Sequence, residues 1–119
     1  MATDIPKILL YDENGKHEGL LGSYCWNGIC EDKGLPKSNA FKEKIVKSKD
    51  SVVSFEVEGN DRPSNLSVTV FSHGNEIVLT KTIEKKLDLN LRAGTYFINI
   101  MAKWIAGEDA SYIFLVELV

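Results

Sequence analysis

The chain has 119 residues, of which 44% are hydrophobic and 26% charged, and its formal net charge is −3. This composition excludes a disordered chain and predicts a single domain, residues 1–119, large enough to bury a core without metal or crosslinks. The negative balance speaks against a phosphate-binding surface, so no nucleic-acid partner is expected, and no apolar stretch approaches the roughly 20 residues that span a bilayer as a helix.

The first residues, "MATDIPK", show no basic region followed by an apolar run, so no signal peptide is read there. "KILLYD" (Lys7 to Asp12) is a short apolar run ending in the turn signal Asp12-Glu13-Asn14-Gly15. "GSYCWNGICED" (Gly22 to Asp32) follows, with both cysteines of the chain. "SNAFKEKIVKSK" (Ser38 to Lys49) fits either a helix capped by Ser38 or, in a sandwich, an edge strand or crossover. Its lysines are interleaved with acids and apolar residues, as on a solvated face.

Beyond it, alternation dominates. "SVVSFEVEG" puts Val53, Phe55 and Val57 on one face, and "NLSVTVFSHGN" does the same with Leu66, Val68 and Val70. "EIVLTKTI" continues as a second arm after the turn at Ser72-His73-Gly74-Asn75. "KLDLNL" sends Leu87, Leu89 and Leu91 inward, and "TYFINIMAKW" aligns Tyr96, Ile98, Ile100, Ala102 and Trp104. Ala106-Gly107-Glu108-Asp109 reads as a hairpin turn into "ASYIFLVELV", whose continuous apolar run marks a strand that is central or covered on both sides.

About seven short strands at this spacing predict an all-β fold, an antiparallel β-sandwich. In "LDLNLRAGTYFINIMA", a strand ends, a glycine corner follows and Tyr96 opens the next strand. This resembles the tyrosine corner of immunoglobulin-like and fibronectin type III-like domains, in which the phenol bonds back to the backbone upstream. Tyr96 is therefore expected to be structural. The inter-sheet disulfide of antibody domains has no counterpart, since both cysteines lie far from Tyr96.

Four readings of Cys25 and Cys30 stand side by side. Gly28 lets the chain fold back into a disulfide, whose small ring contributes only about 2 kcal/mol; a cysteine pair with none left over favours this in an oxidising compartment. A zinc site would need the distant His17 and His73, and a copper site a histidine or methionine close to a cysteine. A redox pair is disfavoured by four intervening residues and by Glu31 and Asp32, which raise a thiol pKa. Two reduced thiols would follow from a cytosolic location. Tyr24 and Trp26 share one face of this stretch, and with Trp104 they are the candidate ligand-binding residues. Trp26 reads either as a core anchor or as an exposed aromatic on a stiffened loop, which Trp104 would join in a ligand-binding patch for a sugar or peptide.

The patterns "GSYCW…GIC.D", "L.AGTY" and "AKW..GEDASY.F.VE" together resemble a set of bacterial extracytoplasmic domains, often lipoproteins of Gram-positive organisms. The resemblance implies paired cysteines and a signal or lipid-anchor region ahead of the sequence given. It brings no catalytic residues. No nucleophile elbow, triad order or phosphate loop is present either, so no enzyme, cofactor or resident metal is expected. His17 and His73 read as solvated turn residues. Glu58 with Asp61, and Glu108 with Asp109, read as ordinary loop acids, with calcium between Glu31, Asp32, Glu108 and Asp109 as the rarer case. Arg62-Pro63 echoes one loop of immunoglobulin-like protease inhibitors, but Ser64 stands where an aromatic is needed. The expected function is a non-catalytic extracytoplasmic binding or accessory module at the cell surface, for a protein or carbohydrate. The alternative is a small cytosolic thiol- or metal-linked protein using Cys25 and Cys30.

Overall fold

In a computed structural model, the structure describes residues 5–12, 15–26, 28–32, 46–49, 52–58, 63–72, 75–79, 82–83, 86–88 and 92–119. These form, in chain order, β1 (Lys7–Asp12), β2 (Gly15–Glu18), β3 (Leu20–Trp26), β4 (Ile29–Glu31), β5 (Val46–Ser48), β6 (Val52–Glu58), β7 (Asn65–Ser72), β8 (Asn75–Leu79), β9 (Thr82–Ile83), β10 (Lys86–Asp88), β11 (Gly94–Lys103) and β12 (Asp109–Leu118). One sheet runs β2-β1-β6-β10-β9; the other runs β4-β3-β12-β11-β7-β8, with β5 joined to β12. All pairings are antiparallel except β5 with β12. The two sheets pack face to face as an all-β sandwich with the strand arrangement of an immunoglobulin-like domain.

The alternating runs explain the core. Val53, Phe55, Val68, Val70, Ile98 and Ile100 are all buried between the sheets, while Ser54 is exposed. Val57, Leu66 and Tyr96 pack against the same cluster from its margins. Leu87 stands opposite Val53 in the ladder, whereas Leu89 and Leu91 lie outside the described residues. "EIVLTKTI" proves to be two strands rather than one arm. β8 stays beside β7, and β9 pairs with β10 in the opposite sheet.

The continuous apolar run of β12 has a specific cause. β11 lies along one edge of β12 from Lys103 to Gly94. Its other edge is shared, with β3 pairing Asp109 to Ile113 and β5 pairing Val116 to Leu118. Alternate residues Ala110, Tyr112, Phe114 and Val116 enter the core, and Ile113 and Leu115 form a second cluster on the outer face with Leu20 and Phe97. A strand buried on both faces needs apolar residues in both parities.

The corner also forms. Tyr96 Oη donates to the Arg92 carbonyl at 2.9 Å, and a Cβ on Gly94 would lie 3.3 Å from that hydroxyl. For 38–49, Val46–Ser48 is a strand, as in the edge-strand reading; 38–45 lie outside the described residues.

Candidate functional site

The cysteine segment folds as the hairpin of β3 and β4, and Cys25 stands opposite Cys30 in its register. The two are joined by a disulfide, with Cα atoms 4.0 Å apart, and neither cysteine is free. Directly opposed positions in an antiparallel pair bring Cα atoms closest, which is what lets so small a ring close. Gly28, at φ +78°, supplies the left-handed residue of the tip. Next along the hairpin, Tyr24 Oη donates to Glu31 Oε2 at 2.9 Å. This bond holds the phenol protonated and raises its pKa, with burial adding in the same direction.

A β-bulge sets where the aromatic residues point. Ala110 pairs with Tyr24 but Tyr112 pairs with Leu21, so Gly22 and Ser23 together face Ser111. The bulge resets the alternation, so that Leu21 before it and Tyr24 and Trp26 after it all face the core. Ser111 Oγ donates to the Ser23 carbonyl at 2.8 Å and satisfies a group that the bulge removes from the ladder. A Cβ at residue 22 would come within 2.8 Å of Ser111 Oγ, which is why the position carries glycine.

The bulge brings Trp26 to Trp104. Their ring centroids lie 4.9 Å apart and the planes are nearly perpendicular, at 88°. Both are core residues, 8% and 7% exposed. The structure thus joins two of the three aromatic candidates but buries them, and Tyr24 is half-buried beside them. A sugar would find no open aromatic face on either indole.

Exposed apolar surface lies around the pair instead. Ile29, opposite Trp26 in the hairpin register, is 64% exposed, and Ile105, next to Trp104, is 93% exposed. Ile105 sits in a tight turn. Trp104 N–H donates to the Glu108 carbonyl at 2.9 Å, Gly107 N–H donates to the Trp104 carbonyl at 3.0 Å, and Gly107 has φ +94°. Composition did not single out either isoleucine. The available signal was a β-branched residue inside a turn, where Gly, Asn, Asp, Ser and Pro are favoured.

Other candidates resolve differently. His17 is no solvated turn residue: its Nε2 lies 2.7 Å from Oδ2 of Asp12, whose side chain is only 1% exposed. Lys47 N–H donates to the same carboxylate oxygen at 3.2 Å. The hairpin puts Leu10 opposite His17, so Asp12 and His17 form a diagonal pair on the inward face. His73, Asp61, Arg62 and Asn27 lie outside the described residues. Glu31, Asp32, Glu108 and Asp109 form no calcium site, since no group of three or more side chains placed to hold a metal ion occurs among the described residues. On the outer face of the first sheet, Tyr11 Oη donates to Glu56 Oε2 at 2.6 Å, and Lys16 Nζ reaches that oxygen at 3.3 Å. The carboxylate raises the pKa of both groups. A small cavity of about 130 Å³ lies among Ile5, Pro6, Glu18, Leu21 and Tyr112. That is below the roughly 300 Å³ at which small-molecule sites begin.

Comparisons with known protein families, curated proteins and solved structures find no match to this chain.

Proposed function

We propose that this protein is a non-catalytic, extracytoplasmic, immunoglobulin-like binding or accessory module at the cell surface. The observation that carries the reading is the Cys25–Cys30 disulfide with no cysteine left free. Such bonds persist in oxidising compartments and are rare where glutathione keeps thiols reduced. The resemblance of the stretch around Tyr24, Cys25 and Trp26 to extracytoplasmic lipoproteins supports the same reading. The sandwich then acts as a rigid frame that presents loops and hairpin tips to a partner.

Intact mass of protein isolated from its native cells, with thiols trapped at lysis, tests the compartment. A bridged pair gains about 2 Da and two alkylation sites only after reduction. Two thiols already free at lysis would overturn the extracytoplasmic reading in favour of the cytosolic alternative.

A further inference from the structure

We propose that the end of the sandwich formed by the β3–β4 tip and the β11–β12 turn docks a polypeptide segment with an apolar anchor flanked by Lys or Arg. This rests on the binding-module reading and gives it a surface and a partner chemistry. Ile29 and Ile105 flank the buried Trp26–Trp104 pair and are 64% and 93% exposed. At that exposure the Ile105 side chain adds almost nothing to folding, and its turn position favours polar residues or glycine. One exposed isoleucine is ordinary; here two stand at the same end of the sandwich, Ile29 opposite Trp26 in the hairpin register and Ile105 next to Trp104 in the turn.

This end of the sandwich is also preorganised. The disulfide holds one arm, and the Trp104 and Gly107 hydrogen bonds hold the other, so little ordering is left for binding to oppose. Charge selects the occupant. The described residues of 24–32 and 103–110 carry four carboxylates, Glu31, Asp32, Glu108 and Asp109, against the single ammonium of Lys103. A second copy would set this acidic rim against itself, and anionic lipid headgroups would meet the same repulsion. A cationic segment with a large apolar residue satisfies both the rim and the isoleucines.

The test uses the full chain, oxidised, on an array of synthetic peptides. Each has a central Leu, Ile, Phe or Trp flanked by Lys and Arg, with glutamate-flanked counterparts and a glycan array alongside. The expected result is selective capture of the cationic set, weakened by added salt. The Ile29→Ser/Ile105→Ser double variant should lose at least about tenfold in affinity while its near-ultraviolet tryptophan spectrum stays unchanged. Ile105→Ser alone, in an exposed turn, covers the case in which the double variant fails to fold. Peptide capture that neither variant weakens would overturn the docking surface and leave the module reading standing. Binding to phosphatidylglycerol vesicles without peptide capture, or dimerisation that depends on Ile105, would overturn the assigned occupant. Silence on peptides and glycans alike would overturn both this proposal and the module reading.

Discussion

The hydroxyl of Tyr112 donates to the Pro6 carbonyl from within the sandwich, and burial pushes its pKa well above that of a free phenol. Removing that donor leaves a carbonyl to find another partner, so Tyr112→Phe should cost about 1 kcal/mol near neutral pH, measured by urea unfolding. The same residue makes the fold sensitive to alkali. A phenol pKa raised by folding contributes stability that is fully present below the unfolded value of about 10 and is lost as pH rises above it. Tyr11 and Tyr24, hydrogen-bonded to Glu56 and Glu31, shift in the same direction. Stability should therefore fall above about pH 10, and Tyr112→Phe should flatten but not abolish the fall; equal slopes in wild type and variant would refute the assignment. The tyrosine corner was legible at this scale because Gly94 and Tyr96 act through local backbone geometry. The Asp12–His17 pair was not, because Asp12 also reads as a turn residue and its burial depends on β5.

Among the elements, β3 was the hardest to read and carries the candidate site. Its bulge breaks the alternation between Leu21 and Tyr24, so no strict period marks it as a strand. β2 was hidden by its polar sequence, GKHE, and β4 and β5 by having only three residues each. Close packing at the start of β3 is open to test. A Cβ on Gly19 would lie 2.6 Å from the Phe114 ring, so Gly19→Ala should destabilise by about 1–3 kcal/mol in thermal unfolding, through overpacking. The hairpin behaves differently. Replacing Cys25 and Cys30 together with serine should cost about 2 kcal/mol or less, because the ring is small. Hydrogen exchange should then rise in β4 and leave β11 and β12 protected, since the disulfide ties only neighbouring strands.

For the whole molecule, Trp26 and Trp104 close one end of the core across two elements that are far apart in sequence. Trp26→Ala should cost about 3–5 kcal/mol and remove the near-ultraviolet signature of the paired indoles. A variant of unchanged stability would mean that Trp26 is not a core residue. The sequence by itself determined the all-β class, the alternating runs around Val53, Val68 and Ile98, the corner at Tyr96 and the cysteine pair as a structural candidate. These features are read from strand parity and from residues that act on their own backbone. Only the tertiary structure decided that "EIVLTKTI" divides between two sheets, that β12 is shared by β3 and β5, and that the tryptophans are buried while Ile29 and Ile105 are exposed. Those outcomes depend on which strands become neighbours, and periodicity along one strand carries no information about its partner.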